Sequence, residues 1–312
     1  MAEDIQDRIS SVQNIHKITR AMEMVAAARL RRAEERIEVL RPYADGIRRM
    51  ARRAVEAAET IPDLPILEEH DAIDTVGLLL VSSDRGLAGP FNSQVMRAAS
   101  GRAREIQREE GAEMAWYASG KKVVSSLGFA GYDLAGTYSG HTDKPSYADA
   151  RNIAEDLIAA YTDGELDRVE MVYNGYISPM QQNVRREILL PLQQAEFFGE
   201  EEEEEAEDDE DEEEGGRDDP DAMDQGRSLW IYEPDPGEIL RRLAPDFVEI
   251  SIYRALLEST AAEHGARMTA MRSASDNAEE MIEDLSLEAN RQRQAEITQE
   301  LMEVVAGAEA LG

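Results

Sequence analysis

The residues best placed to do chemistry lie in one glycine-containing loop, SSDRGLAGPFN, at positions 82–92. Glycines that follow a strand and precede a helix can cradle a phosphate at the helix N-terminus. However, Gly86 and Gly89 do not form a Gly-x-Gly-x-x-Gly pattern, and no Gly-Lys-Ser or Gly-Lys-Thr follows, so the nucleotide-binding signal is weak. Asp84 and Arg85 could instead pair with each other while the glycines make the turn. We favour this structural interpretation of the loop.

The other residue types that commonly catalyse reactions or bind metals form no recognisable site. The four histidines lack the spacing of metal ligands: His16, His70, His141 and His264. The chain has no cysteine, which excludes disulfides, zinc–thiolate sites and thiol nucleophiles. Neither a Gly-x-Ser-x-Gly nor a His-Glu-x-x-His motif is present. The sequence therefore predicts no catalytic residue, no cofactor and no metal site.

Charge is unevenly distributed along the 312 residues, whose formal net charge is −33. Positions 200–224 carry 18 acidic residues against one arginine, and such a run repels itself and buries no apolar area. We therefore expect an acidic disordered insert over residues 199–227. Because phosphate neutralisation needs net basic surface, the composition also disfavours nucleic acid as a partner.

Two features of the sequence bear on membranes. The longest apolar run, residues 76–81, is too short to cross a bilayer. The N-terminus, MAEDIQDRIS, is acidic and amphipathic, unlike a secretory signal. The sequence predicts a cytosolic chain, or one that is peripheral on the cytoplasmic face of a membrane.

Residues 1–60 have the pattern of one long helix, with a single proline and a single glycine, Pro42 and Gly46. Because apolar and basic residues continue beyond Pro42, we expect this proline to kink the helix rather than end it. An apolar stripe at helical spacing changes phase after Val25 and consists of Ile5, Ile9, Val12, Ile15, Ile18, Met22, Val25, Leu30, Ala33, Ile37 and Leu40.

Residues 245–312 have the pattern of a second long helix with a weak coiled-coil seam, since many seam positions are small or polar. We expect His264 in this seam to be packed and hydrogen-bonded rather than bound to a metal. The heptad positions are Phe247, Ile250, Arg254, Leu257, Ala261, His264, Met268, Met271, Ser275, Ala278, Ile282, Leu285 and Ala289. The stripe then resumes one position out of register at Ile297, Leu301, Val304 and Ala308.

Charge favours pairing of the two terminal helices with each other. Residues 17–53 carry 11 basic and 5 acidic side chains, whereas residues 276–303 carry 9 acidic and 2 basic ones. Helices of opposite sign with apolar seams are suited to pair, and we expect an antiparallel arrangement. The alternative is that each charged set is a solvated helix face. Because an exposed ion pair contributes only about 0.2–1 kcal/mol, the charges would select register more than they stabilise.

Between the terminal helices the pattern changes to alternating strands and helices, which predicts a Rossmann-like α/β domain over residues 70–198 and 228–240. The predicted strands are residues 74–82, 112–119, 168–173, 186–191 and 229–233, and the predicted helices are residues 91–110, 121–127 and 147–163. The fold class is therefore α/β plus a long antiparallel coiled coil.

Four segments together resemble one family, the gamma subunits of F-type (H⁺-transporting) ATP synthases. They are RISSVQNIHKITRAMEMVAAARLRRA (residues 8–33), SSDRGLAGPFN (82–92), YEPDPGEIL (232–240) and ITQELMEVVAGAEAL (297–311). The resemblance covers nearly the whole chain in order. It implies a single-copy rotor whose coiled coil enters a ring of alternating alpha and beta subunits, while its α/β domain binds epsilon and the membrane c-ring.

The resemblance also implies a mechanism and a location. Proton flow turns the c-ring, and the asymmetric coiled coil drives the beta subunits, which hold the catalytic residues, through their nucleotide-binding states. The chain would contact the cytoplasmic face of the plasma membrane only through the complex.

The family's rotor–stator contacts can be placed on matching residues of this sequence. Thr298, Gln299 and Glu300 match a polar catch toward the beta subunits. The basic neck corresponds to Arg29, Arg31 and Arg32, and two further interface positions to Met22 and Arg272. The apolar bearing tip corresponds to Val304, Val305, Ala308 and Leu311. Each could instead pack within the coiled coil or be solvated, and for Met22 both interpretations stay open.

The acidic insert, residues 199–227, departs from the family pattern. Plant photosynthetic members carry a regulatory insertion with a cysteine pair near this place, but the absence of cysteine here excludes thiol control. We hypothesise that the insert keeps the subunit soluble in salt. Two competing functions remain, a Rossmann-type nucleotide-binding protein and a free-standing coiled-coil scaffold.

Overall fold

Two long helices dominate the computed structural model, which describes residues 2–57, 63–193, 197 and 235–311, without side chains at 2–4, 303, 305 and 307–311. Helix α1 spans Ala2–Ala57 and continues through Pro42, and helix α5 spans Pro236–Leu311 and continues through Pro245. At 1.5 Å per residue they are roughly 84 and 114 Å long. The acidic insert and the predicted strand 229–233 lie outside the described residues, and α5 begins within the range expected for the α/β domain.

Helices α1 and α5, called the helix pair from here on, run antiparallel. Thr19 and Ser275 share a hydrogen bond of 2.7 Å between their hydroxyl oxygens, and Arg272 donates to Glu23 at 3.0 Å. Because the partner position on α5 falls as the position on α1 rises, the start of α1 lies opposite about residue 292. The last roughly 19 residues of α5 therefore extend about 28 Å beyond α1.

The predicted heptad seam of α5 is confirmed from Phe247 to Ala289, because each of its positions is buried or half-buried. The predicted continuation of the stripe is wrong at Ile297, Leu301 and Val304, which are exposed because α1 does not reach them. The stripe predicted for α1 is wrong at three positions, since Ile15, Ile18 and Val25 are exposed. The residues buried instead on that part of the helix are Thr19, Glu23 and Ala26. This part of the α1 seam therefore consists of small or polar side chains, and the bulky apolar side chains lie outside it.

The charged halves of the two helices do not face each other, so the predicted charge complementarity between them is wrong. In the observed register, the acidic residues 276–292 lie beside residues 2–18 of α1. The basic residues 17–53 lie beside the nearly neutral first half of α5. The helices pair through their seams.

A five-stranded sheet in the order β3-β2-β1-β4-β5 lies between the long helices in sequence. Strands β1 to β4 are parallel, and β5 is antiparallel to β4. The strands are β1 (Thr75–Val81), β2 (Glu113–Ser119), β3 (Leu134–Tyr138), β4 (Arg168–Ser178) and β5 (Gln181–Leu190). The shorter helices are α2 (Phe91–Glu109), α3 (Lys121–Phe129) and α4 (Tyr147–Thr162). The Rossmann-like prediction is confirmed, although β3 was not predicted and β4 and β5 are longer than expected.

The sheet packs against different elements on its two faces. Helices α2 and α3 cover one face, around Leu78, Leu80 and Val95. On the other face α4 and the base of the helix pair form the largest apolar core, which includes Ile153, Ile47 and Val248. The helix pair is thus built into the α/β domain over part of its length and projects beyond it. None of the described helices is long and apolar enough to cross a membrane.

Candidate functional site

The loop at positions 82–92 connects β1 to α2, as predicted, but its charged residues do not pair with each other. The Asp84 carboxylate accepts hydrogen bonds from the backbone N–H groups of Lys121 and Gly140, both at 2.9 Å. Arg85 instead pairs with Asp143 at 3.0 Å. The predicted Asp84–Arg85 pair is therefore wrong, although the loop does have the structural role that the prediction favoured.

Asp84 places a negative charge at the N-terminus of α3. Burial alone would raise the pKa of Asp84, but the hydrogen bonds from Lys121 and Gly140 hold this pKa below its usual value. The N-cap residue Gly120 has φ +103°, and a Cβ there would lie 2.6 Å from the Ser82 carbonyl oxygen. The chain's own carboxylate thus occupies a position where a doubly wound fold could bind a phosphate.

The crevice at the carboxyl ends of β1 and β4 is filled by α5. In doubly wound folds this is the topological switch point where a nucleotide binds. Here Ala262 of α5 packs against Ala88 and Phe91, with Tyr176 beside them. Thr260 donates to the Thr142 carbonyl at 2.9 Å. These contacts argue against the nucleotide-binding interpretation.

Five charged side chains join the helix pair to two loops of the α/β domain, and we call them the junction cluster: Arg29, Arg85, Asp143, Glu263 and Arg267. Asp143 accepts from Arg29 of α1 and from Arg85 of the 82–92 loop, each at 3.0 Å. Arg267 of α5 pairs with Glu263 and donates to the Gly86 carbonyl at 3.2 Å. Four segments that are distant in sequence therefore meet in one polar network.

Burial shifts the pKa of two residues at this junction. His264 is 1% exposed and lies 3.3 Å from an Arg267 nitrogen. Burial and then the positive charge of Arg267 lower the pKa of His264 to about 4, so the imidazole is neutral at pH 7. Burial also raises the pKa of Glu263, while Arg267 opposes that shift. The expectation that His264 is packed and hydrogen-bonded is confirmed.

The predicted interface residues on α1 differ in their surroundings. Met22 is half-buried, and Arg29 belongs to the junction cluster. Arg32 is exposed. Arg31 is also exposed, with Glu35 at 3.6 Å on the next turn. The neck therefore presents two outward arginines, while the third holds a loop of the same chain.

The predicted residues on α5 are spread over the outer half of the helix. Arg272 pairs with Glu23 while 54% of its side chain stays exposed, and this hydrogen bond holds the pKa of Glu23 below its usual value. Thr298 and Glu300 are exposed, as is Gln299. Val304 is 70% exposed. The side chains of the other tip residues, Val305, Ala308 and Leu311, lie outside the described part of the chain.

An apolar surface on the outer part of α1 was missed, because three of its residues, Ile15, Ile18 and Val25, were assigned to the buried seam. Ile15, Ile18, Met24 and Val25 are all between 52% and 61% exposed. Helical spacing alone could not reveal this, since the polar residues Thr19 and Glu23 form an alternative stripe. Their hydrogen-bond partners on α5 make that stripe the buried one.

Comparison with known proteins identifies the family. The chain matches the ATP synthase family over residues 1–311. An ATP synthase gamma chain of Rubrobacter xylanophilus is 40% identical over 314 residues, which cover 99% of this chain and 97% of that relative. The chain belongs to the ATP synthase gamma-chain family. The gamma chain of Stenotrophomonas maltophilia is 36% identical, with 99% of this chain and 98% of that relative covered.

Solved structures with the same fold come from ATP synthases. A chain of the Euglena gracilis mitochondrial enzyme, in a structure of its OSCP, F1 and c-ring parts, superposes with a TM-score of 0.64 at 19% identity. The match covers 99% of this chain and 94% of that one. A chain from the central stalk and c-ring of the Tetrahymena thermophila enzyme gives a TM-score of 0.57 at 23% identity, covering 83% and 99%. As a gamma chain, this protein is a subunit of the membrane-associated ATP synthase complex.

Proposed function

We propose that this chain is the central-stalk rotor subunit that couples proton-driven rotation of the c-ring to ATP synthesis or hydrolysis. The observation that carries this proposal is the family match, which extends over residues 1–311 and includes both terminal helices. The shape of the molecule supports it. A long helix pair projects from a compact α/β domain, so one end can lie within a ring of subunits while the other meets the membrane sector.

The family resemblance supports an assignment of the individual partners. We assign the alpha and beta subunits to the projecting part of the helix pair, and epsilon and the c-ring to the α/β domain, at the cytoplasmic face of the plasma membrane. We also assign catalysis to the beta subunits rather than to this chain. The α5 segment that fills the switch-point crevice supports this division of roles.

The outer part of the helix pair has surfaces suited to two kinds of stator contact. Bulky apolar residues around Met22, together with Leu301 and Val304 near the tip, can bury apolar area in the ring without directional bonds. The neck arginines Arg31 and Arg32 can pair with acidic groups of the beta subunits. Polar contacts of Thr298, Gln299 and Glu300 would act as the catch, and Val305, Ala308 and Leu311 would complete the bearing tip.

Recovery of partners by the tagged chain tests the function. Pull-down of the full chain from its own cells should recover ATPase alpha and beta subunits. The matched control is a tagged chain that ends at residue 292, where α5 loses its pairing with α1, and this variant should recover less of both. Absence of alpha and beta subunits from the full-chain sample would overturn the rotor assignment.

The same sample separates the competing functions. Nucleotide binding by the isolated chain would favour the nucleotide-binding protein, and stable isolation without ATPase subunits would favour the coiled-coil scaffold. We expect neither, because α5 lies in the switch-point crevice and the C-terminal segment exposes apolar residues without a partner from α1.

A further inference from the structure

The junction cluster lies where the α/β domain ends along the helix pair. On one side of it, Thr260 and Ala262 of α5 contact the domain. On the other side, α5 bonds to α1 through Ser275 and Arg272. A turning force that passes between the domain and the projecting helices must therefore cross this level.

Apolar packing at this level is small and non-directional. On the α1 side it consists of Leu30, Ala33 and Ala261, with Ile37, Tyr176 and Met268 packed against them. Apolar contacts depend on buried area rather than on orientation, so such surfaces can slip past each other at little cost. At this level the packing therefore adds little angular restraint to that of the larger core at the base of the helix pair.

The charged contacts at the same level have fixed geometry. Arg267 is 8% exposed and Glu263 1% exposed, so their pair lies almost wholly out of water. Both residues lie on α5, one turn apart, and this strong, directional pair fixes the position of the Arg267 guanidinium. Twisting α5 against the 82–92 loop would break the bond from that guanidinium to the Gly86 carbonyl.

The second half of the cluster restrains the other helix. Asp143 holds Arg29 of α1 and Arg85 of the loop at the same time. Turning α1 against the domain would break the ion pair of Arg29 with Asp143, and turning α5 would break the hydrogen bond from Arg267 to the Gly86 carbonyl. The Tyr176 hydroxyl, which donates to Glu34 of α1, adds a further bond on the same side.

We propose that the junction cluster locks the α/β domain to the helix pair against twisting, with Arg267 as its central positioning residue. This inference rests on the proposed rotor function, since it names the residues through which torque would pass between the two parts of the rotor. Arg267 contacts no reacting group and acts through Glu263 and the Gly86 carbonyl.

Angular fluctuation of the domain in the assembled ATP synthase tests this role. The alpha–beta head is fixed to a surface and a probe is attached to a cysteine introduced by Ser125→Cys, at an exposed position of α3 in a chain without cysteine. The width of the probe's angular distribution during a stalled dwell reports the torsional stiffness between the stator and the domain. Arg267→Gln should increase the variance about twofold or more.

Arg102→Gln is the matched control. Arg102 makes a bidentate pair with the buried Glu170 at 2.7 and 2.8 Å, but within the α/β domain between α2 and β4. Each variant removes an arginine that pairs with a buried glutamate, so each should lower the free energy of unfolding. Only Arg267→Gln should widen the distribution, and Arg267→Lys, which keeps the charge, should restore part of the stiffness.

Equal angular variance in Arg267→Gln and Arg102→Gln would overturn the proposal. If Arg267→Gln does not assemble, Asp143→Asn provides the same comparison at a half-exposed site. An angular variance of Asp143→Asn no larger than that of Arg102→Gln would likewise overturn the proposal. Rotation of the wild-type enzyme tests the rotor function itself. A wild-type complex that rotates while the variants do not differ refutes the torsional lock alone.

Discussion

Asp84 shows how one side chain can fill a position that the surrounding fold offers to an anion. Its carboxylate receives backbone N–H groups from two separate elements at 2.9 Å, from Lys121 and from Gly140. Asp84→Asn should lower the free energy of unfolding by about 1–3 kcal/mol, because the amide cannot accept both bonds and carries no charge. Chemical denaturation of the purified chain measures this, with Asp45→Asn as an exposed control that should cost less than about 0.5 kcal/mol.

The effect of Asp84 depends on pH with a definite sign. Because its folded-state pKa lies below the unfolded value, ionised Asp84 stabilises the folded chain above the unfolded pKa of about 3.9. This contribution is lost as the pH falls through the lowered folded pKa. The difference between wild type and Asp84→Asn should therefore shrink toward pH 3. A difference that stays constant from pH 7 to pH 3 would contradict the assigned hydrogen bonds.

His264 gives a second pH test with the same sign, although it is a base buried in its neutral form. Its pKa of about 4 lies below the unfolded value of about 6.5, so the unfolded chain gains a proton first as the pH falls. Between pH 6.5 and pH 4 the wild type should lose roughly 3 kcal/mol through this residue. Glutamine at this position can accept from Arg267 but does not titrate. Relative to wild type, His264→Gln should gain stability as the pH falls from 7 to 4.5. If the difference in unfolding free energy between the two proteins does not change over this range, the assigned pKa of His264 is contradicted.

At the scale of elements, the Thr19–Ser275 hydrogen bond links the seams of the helix pair. Thr19→Val or Ser275→Ala alone leaves one buried hydroxyl without this partner and should cost about 1–2 kcal/mol. The double variant should cost less than the sum of the two, since neither hydroxyl then remains. Thermal unfolding of the four proteins gives the interaction energy. Strict additivity would show that the bond does not contribute to pairing.

The outer end of α5 should matter for assembly but not for the stability of the chain. Leu301 is 61% exposed, whereas Leu285 is 6% exposed and packed in the seam. Leu285→Ala should lower the free energy of unfolding by about 2–5 kcal/mol, and Leu301→Ala should change it by less than about 0.5 kcal/mol. Leu301→Ala should instead weaken binding to the alpha–beta head. Normal binding by this variant would place the tip outside the ring.

The elements that could be predicted are those whose apolar pattern is compatible with only one buried face. Strand β1 is almost wholly buried, and the α5 seam repeats in strict heptads, so both were found from the sequence. Strand β3 is short, contains Gly136 and alternates between half-buried and exposed positions at the edge of the sheet, which leaves little apolar signal. In α1 two stripes were possible, and only the contacts of Thr19 and Glu23 with α5 decide between them.

At the scale of the whole molecule, sequence motifs led to the family but not to the contacts that join its parts. The 82–92 loop was recognised as structural, yet Asp84 and Arg85 were expected to pair with each other. Their actual partners, the Gly140 N–H group and Asp143, lie more than fifty residues away, and nothing local in the sequence indicates them. Likewise Arg29 was assigned to the stator, while its ion pair with Asp143 became visible only in the folded chain.

Rotation of this chain within the alpha–beta head is the central claim, and direct observation tests it. The head is assembled with the Ser125→Cys chain, fixed to a surface, and supplied with ATP while a probe on the α/β domain is followed. The account predicts rotation in one direction that starts with ATP addition and stops when ATP is exhausted. A complex that hydrolyses ATP while this domain remains stationary would contradict it.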